Sequence, residues 1–366
     1  MTRHRVAEYS ITSSRPSSDY IPTLDGWRCI AISLVLFAHS CAWLGFGTAK
    51  LARWLHYPAI TLHIGRAGLT GVIVFFCISG FLITRRLIDQ GISLRDFYIR
   101  RAFRILPPAL VYLTVIALLG LFKLITVDPR QIVAALFFWR NYLDDSNAFY
   151  TGHFWSLSIE EQFYMIWPLL LRWTGVTSAR VFASLGIVGV VTWRHLHFPL
   201  SPFAYFYTEM RLDAILCGSL MALSWQTIKP VAQKASAVVM LAVLVGFWAA
   251  DLWSVELQGT AELIQAVLIC SLIAMTVANP VWSVSRILET RAITWVGRLS
   301  YSIYLWQQLF FMPAQTARWQ LPFRFVGIIG LAWLSYTFVE RPLIAVGRRL
   351  IDSTRSGDKS SPSHSV

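Results

Sequence analysis

The sequence contains little charge and no recognisable cysteine pattern. Only 14% of its 366 residues are charged, whereas 56% are hydrophobic. Water-soluble domains carry about 25% charged residues, so this composition excludes an ordinary soluble protein. The five cysteines all lie in apolar segments and include no C-x-x-C pair; we therefore expect neither a disulfide framework nor a metal site. Zinc-finger spacings and aromatic-basic single-strand motifs are also absent, so we expect no nucleic-acid partner.

The sequence contains several long apolar blocks. Three examples are Ala67–Thr84, Val231–Ala250 and Ala261–Ala278. A run of about 18 or more apolar residues is long enough to cross the bilayer core. The formal net charge of +13 comes from short basic clusters between these blocks, a distribution that is typical of membrane topology signals. No small-residue cleavage site follows the first block, so we predict a retained first span in a multi-pass protein of the inner (plasma) membrane.

The pattern predicts an all-α bundle of about ten transmembrane helices. The stretch Gln131–Trp139 is too short to span, and we expect it to lie at an interface or to re-enter. With both termini in the cytoplasm, the inner segments hold 21 Lys and Arg residues and the outer loops hold 9, which favours an N-in, C-in orientation. The predicted helices are 28–46, 67–85, 107–125, 155–173, 180–196, 211–227, 232–253, 261–282, 294–312 and 323–346.

The chain reads as one membrane domain with polar ends. We predict disordered cytoplasmic tails at 1–20 and 351–366, because both are polar and Ser-rich. Residues 21–350 form the predicted transmembrane domain. No repeat of fixed period and no appended soluble domain is visible in the sequence, so any chemistry has to be done by the helical bundle.

Arg28 and His39 are the leading catalytic candidates. They are eleven residues apart in one apolar segment, so on a helix they share a face and lie about 16 Å apart along the axis. Arg28 could bind a phosphate group at the surface, and His39 could act as a general base in the membrane. The alternative is a structural histidine between helices and an arginine that extends to the lipid headgroups.

A basic cluster precedes the third predicted span, in the segment FYIRRAFRILP. Arg100 and Arg104 share a helix face and Arg101 lies close to it. Such a cluster could bind the phosphates of coenzyme A. It could equally be a topology signal that attracts anionic lipids.

Acidic and aromatic residues open the fourth predicted span, in FWSLSIEEQFY. Ser158 and Glu161 match a capping box, which would explain both residues structurally. Because Glu160 adds a second carboxylate beside Trp155, we also consider an acceptor site in which an acid orients a sugar and aromatic rings stack on it.

The ninth and tenth predicted spans also contain polar residues. Arg298, Ser300, Tyr301 and Tyr304 lie along the ninth, and Glu340 closes the tenth. Glu340 could be salt-bridged to an arginine, or it could have a conformational or substrate-pairing role.

Taken in order, these segments resemble the acyltransferase family 3 membrane proteins, which O-acetylate surface polysaccharides and some secondary metabolites. The resemblance covers nearly the whole chain outside the tails. It rests on LDGWRCIAISLVLFAHS, GVIVFFCISGFLIT, FYIRRAFRILP, FWSLSIEEQFYMIWP, RLDAILCG, GRLSYSIYLWQQ and SYTFVERP.

The resemblance implies an integral membrane O-acyltransferase. The donor would be acetyl-CoA or another acyl-CoA, entering from the cytoplasm, and the acceptor a hydroxyl of a saccharide or small metabolite approaching from outside. No metal is implied. The expected catalytic residues are Arg28, His39 and Glu340. Donor binding is expected from Arg28, Arg100, Arg101, Arg104 and Arg298, and acceptor binding from Trp155, Ser158, Glu160, Glu161 and Tyr304.

Two positions depart from the family pattern. Gln307 stands where many relatives carry His, and Ile73 stands where Asp is common. The sequence also lacks the extracellular hydrolase-like domain of some relatives. A transporter or flippase of a polar substrate is the alternative function, although no inverted repeat supports it. A non-catalytic membrane sensor is a third alternative.

Overall fold

A computed structural model describes residues 20–44, 60–89, 91–144, 149–197, 204–253, 257–311 and 321–359. Within these ranges, helices are the only regular secondary structure. The α-helices are α1 Pro22–Leu44, α2 Ile60–Asp89, α3 Leu94–Leu121, α4 Pro129–Leu136, α5 Phe154–Leu196, α6 Thr208–Leu223, α7 Trp225–Gln233, α8 Ala237–Leu252, α9 Ala261–Ala278, α10 Ser283–Leu288, α11 Arg291–Phe310, α12 Leu321–Ser335 and α13 Arg341–Lys359.

Local sequence signals set several helix boundaries. Ser93 caps α3, because its hydroxyl accepts the amide hydrogen of Asp96 at 3.1 Å. Asp128 caps α4, and Pro129 follows it at the first helical position. Inside α5, Gly175 adopts φ 75° and ψ 173°, a conformation that interrupts the helix. This break separates the two spans that the sequence predicts there.

The structure is an all-helical membrane bundle. By length and composition, six helices among the described residues could cross a membrane, or seven if the bent pair α7 and α8 forms one span. That pair is bent by 114°. Every predicted span overlaps a helix, but some of these helices are short or polar. The predicted interfacial stretch Gln131–Trp139 overlaps the short helix α4.

The last helix extends further than the sequence pattern predicts. α13 continues to Lys359, into the segment 351–366 for which we expect a disordered tail. Ile351 is only 1% exposed, so apolar packing explains why the helix continues beyond 350. Residues 1–19 of the predicted N-terminal tail at 1–20, and residues 360–366, lie outside the described residues.

Glycines allow the central helices to approach one another closely. A Cβ added at Gly218 of α6 would lie 2.1 Å from the carbonyl oxygen of Cys77 in α2. One added at Gly80 of α2 would lie 2.0 Å from the carbonyl oxygen of Ile215. Small residues permit such backbone contact between membrane helices. The pair fixes α6 against α2, and α2 lines the site described below.

We expect Gly218→Ala to destabilise the protein, because its methyl group would overlap the backbone of α2. Overpacking of this kind costs about 1–3 kcal/mol or more. Gly189→Ala is the matched control, since nothing lies within 4 Å of a Cβ at that helical position. The check is the thermal unfolding midpoint of both variants in detergent. Equal midpoints would contradict the proposed contact.

Candidate active site

A cavity lined by three arginines lies among α1, α2, α3, α5 and α11; we call it the arginine cavity. It encloses about 640 Å³ of space, including solvent at its mouth, of which about 80 Å³ can hold the centres of water molecules. Apolar walls come from Val72, Phe75, Phe76, Ile105 and Leu157. The polar residues that line it are Arg28, Ser79, Arg101, Arg104, Ser156, Glu160, Ser300, Tyr301 and Tyr304.

One part of the arginine cavity concentrates positive charge. Arg28 forms an ion pair with Asp25 at 2.7 Å. Arg104 lies within electrostatic range of Arg28 and Arg101, and also of Glu340. Glu340 is buried and accepts a hydrogen bond from Ser302. Guanidinium groups that are brought this close repel one another, so an anion bound among them would be stabilised.

Arg101 binds the two adjacent acids of α5. Its guanidinium lies 3.7 Å from Glu160 and 3.6 Å from Glu161, and its Cζ lies 3.6 Å from the ring centroid of Tyr164. Glu160 also accepts hydrogen bonds from Ser79 at 2.8 Å and from Tyr164 at 3.0 Å. Thus a residue predicted to bind the donor contacts two predicted to bind the acceptor. The sequence alone gives no sign of this contact.

His39 lies outside the wall of the arginine cavity. Its Nδ1 is 3.2 Å from Oε1 of Gln307, and its ring is 6.5 Å from that of Phe311. Between Arg28 and His39, α2 packs tightly on α1, because Gly71 contacts the backbone oxygen of Ala31. Arg28 and His39 therefore do not share one open cavity, although they belong to one helix.

Tyr304 connects the arginine cavity with the surroundings of His39. It lines the cavity and precedes Gln307 by three residues, about one helical turn. Its hydroxyl lies 2.6 Å from that of Ser156 and donates to the carbonyl oxygen of His153 at 3.0 Å. His153 is close enough to His39 for electrostatic interaction. Gln307, the partner of His39, thus lies about one helical turn along α11 from Tyr304, which lines the cavity.

Comparison with known proteins identifies the family of the chain. The Acyltransferase domain family matches residues 21–339. The chain belongs to acyltransferase family 3. The resemblance seen in the sequence motifs is therefore confirmed.

Curated relatives of this family 3 chain are named as O-acetyltransferases. It is 27% identical to the peptidoglycan O-acetyltransferase OatA of Listeria monocytogenes, over 90% of this chain and 57% of that protein. It is also 27% identical to the O-acetyltransferase OatA of Staphylococcus aureus, over 89% of this chain and 58% of that protein. The chain thus spans less than two thirds of their length. No solved structure matches it significantly.

Two arginines predicted to bind the family's donor lie outside the cavity. Arg100 is exposed, because α3 turns Arg101 and Arg104 toward the bundle and Arg100 away from it. Arg298, the eighth residue of α11, is exposed and interacts with Tyr20. Of the predicted platform, the structure places Arg101 and Arg104 at the cavity and Arg100 outside it. Arg28 takes the third place in the cavity.

The predicted acceptor residues also separate. Trp155 packs on Phe76 and Phe206, with ring centroids 6.1 and 4.9 Å apart, and lines a different cavity. The capping box at Ser158 is wrong, since α5 begins at Phe154. Ser158 is buried; its hydroxyl donates to the carbonyl oxygen of Phe154 at 2.9 Å and accepts the amide hydrogen of Arg140 at 3.2 Å, so it joins α5 to the segment after α4.

Sequence reasoning missed Ser79, Ser156, Tyr164 and the contact of Gln307 with His39. Ser79 is a polar residue within an apolar block, a signal that could have identified it. The partner of His39 depends on the packing of α1 against α11, which no sequence spacing indicates. Among the described residues, no three His, Cys, Asp or Glu side chains are grouped as metal ligands.

We expect Arg101→Met to lower stability, because Glu160 and Glu161 would lose the cation between them. Removing one partner of a buried ion pair costs about 3–5 kcal/mol. The control is Arg100→Met on the same helix; this exposed side chain should change stability by less than about 0.5 kcal/mol. Unfolding in detergent measures both. Similar stabilities of the two variants would contradict the Arg101 contact.

Proposed function

We propose that the protein is a membrane O-acyltransferase that transfers an acyl group from acyl-CoA to a hydroxyl of a saccharide or related acceptor. The acyl group that we propose is acetyl. The observation that carries this proposal is the arginine cavity, with three guanidinium groups at one part and a histidine whose partner, Gln307, lies about one helical turn from Tyr304. Family membership and the names of the relatives support the same reaction class.

The arginines provide the donor site in this proposal. Phosphate groups of coenzyme A would bind Arg28, Arg101 and Arg104, since guanidinium groups form strong, directed hydrogen bonds with phosphate. The apolar cavity walls, formed by Val72, Phe76 and Leu157, suit the less polar arm that carries the thioester. To reach His39, the thioester has to pass Tyr304.

His39 is the general base in this proposal, and Gln307 positions it. If Nδ1–H donates to Oε1 of Gln307 at 3.2 Å, the lone pair of Nε2 is available to accept a proton. His39 removes the proton of the acceptor hydroxyl while the oxygen attacks the thioester carbonyl. The carbon–sulfur bond breaks, and the coenzyme A thiolate leaves and takes up the proton. This assignment gives Gln307 a role that the sequence did not suggest.

We also propose ten membrane crossings with both termini in the cytoplasm. The excess of Lys and Arg in the inner segments supports this orientation. It would place Arg28, Arg101 and Arg104 near the cytoplasmic face of the inner membrane, where acyl-CoA is present. His39 would then lie toward the outer face, from which a surface saccharide could approach.

We expect His39→Ala to reduce acyl transfer at least about a hundredfold, because general-base catalysis contributes that much. Binding of acetyl-CoA should persist, since the arginines remain. The measurement is transfer of labelled acetyl groups from acetyl-CoA in membranes that contain each variant. His195→Ala, a change at an exposed histidine of α5, is the control. Unchanged transfer in the His39 variant would exclude it as the base.

Reporter fusions test the proposed topology. Alkaline phosphatase fused after Asp144 should be active, because that loop is predicted to face outward. Green fluorescent protein fused after Gly91 or Lys234 should fluoresce in the cytoplasm. Active phosphatase at Lys234 would show that the proposed number of crossings before that residue is wrong.

A further inference from the structure

A second cavity adjoins the arginine cavity; we call it the Arg211 cavity. It encloses about 260 Å³ of space between atoms, of which only about 10 Å³ can hold the centre of a water molecule, so a ligand larger than water requires one of its walls to move. Val72 and Phe76 of α2 line both cavities and form the wall between them. Its other lining residues include Ile73, Trp155, Arg211, Asp213 and Glu262.

Arg211 and Glu262 each keep one buried polar atom without a partner. Arg211 is 4% exposed, and its Nε donates to the carbonyl oxygen of Tyr205 at 3.1 Å. Glu262 accepts a hydrogen bond from the hydroxyl of Tyr205 at 2.7 Å. Nη2 of Arg211 and Oε2 of Glu262 are buried and form no hydrogen bond within the described part of the chain. Tyr205 therefore positions both side chains, and each has one polar atom available to a ligand: a donor on Arg211 and an acceptor on Glu262.

The neighbouring acid does not neutralise Arg211. Asp213 is bound to Arg194 at 2.6 Å, and both side chains are 2% exposed. A buried polar atom of a charged group that lacks a hydrogen bond is costly, even where other atoms of the same group are bonded. Two such atoms, on groups of opposite charge at one cavity, therefore favour the binding of a polar ligand.

The chemistry of the lining residues defines that ligand. The guanidinium Nη2 can donate to a hydroxyl oxygen, and the carboxylate Oε2 can accept a hydroxyl hydrogen. Because the two charges oppose each other, they favour a neutral polyol over an anion. Trp155 adds an aromatic face, of the kind that packs against a sugar ring.

We infer that the Arg211 cavity is the acceptor subsite and binds neighbouring hydroxyls of a neutral saccharide. This inference rests on the proposed function. The donor and acceptor would then lie on either side of Phe76, whose ring packs edge-on against Trp155 at 6.1 Å. Movement of this one side chain would join the two cavities.

The position of the cavity in the bundle agrees with this role. Trp155, Arg211 and Glu262 lie in the first turns of α5, α6 and α9. In the proposed topology these three helix starts lie toward the outer face, whereas Arg28 and Arg101 lie toward the cytoplasm. The two substrates would thus enter from opposite faces.

Glu262→Gln and Arg211→Lys test the inference with two readouts. One is alkali-labile acetyl on the cell envelope of a deletion strain that expresses each variant. The other is binding of radiolabelled acetyl-CoA to the purified protein in detergent. We expect envelope acetyl to fall at least about tenfold, the effect of losing a hydrogen bond to a charged group. Acetyl-CoA affinity should change less than about twofold.

Two further variants separate binding from folding. Glu209→Gln changes an acid on α6 that pairs with Tyr142, away from the cavity, and should leave both readouts unchanged. Ile73→Asp in the Glu262→Gln background returns a carboxylate to the cavity and should restore part of the envelope acetyl. Amounts of folded protein, measured by size-exclusion chromatography, should match the wild type.

The outcomes are distinguishable. Unchanged envelope acetyl in both cavity variants would show that the cavity holds only water, and would overturn the inference while the proposed function stands. Parallel loss of acetyl-CoA binding would assign the two residues to the donor site or to folding, and would also overturn it. Absence of envelope acetyl with the wild-type protein would overturn both proposals.

Discussion

Everything in this bundle depends on how guanidinium groups are kept inside an apolar interior. Each buried arginine needs a partner, because an uncompensated charge in a membrane is expensive. Arg101 lies against Glu160 and Glu161, and Arg194 against Asp213. These contacts join α3 to α5 and α5 to α6, so the charged groups also help to fix the arrangement of the helices.

Close helix contacts divide the interior. Gly71 brings α2 onto α1 between Arg28 and His39, and Gly218 brings α6 onto α2. Beside α2, the space that remains includes the arginine cavity and the Arg211 cavity, which Val72 and Phe76 separate. The first concentrates positive charge, and the second offers a donor and an acceptor of opposite charge. Such a division suits a reaction whose two substrates differ in charge and arrive from different faces.

The packing of the helices gives several polar residues partners that their spacing in the sequence does not indicate. Arg100, Arg101 and Arg104 are adjacent in sequence, but the helix turns only two of them into the cavity. Glu160 and Glu161 looked like acceptor residues, yet they contact Arg101. Gln307, a departure from the family pattern, proved to be the partner of His39. Spacing along one helix indicates faces, but it does not indicate what packs against them.

The sequence by itself determined the class of the protein. Apolar blocks and few charges require membrane helices, because unpaired backbone groups are not tolerated in lipid, and the ordered motifs indicated acyltransferase family 3. It also identified Arg28, Arg101, Arg104 and Glu160 as polar groups worth explaining. Only the tertiary structure decided which of them meet, that His39 lies beyond the cavity, and that Arg211 and Glu262 share another one. The physical reason is that cavities form between helices, where side-chain volume and backbone approach decide the space that is left.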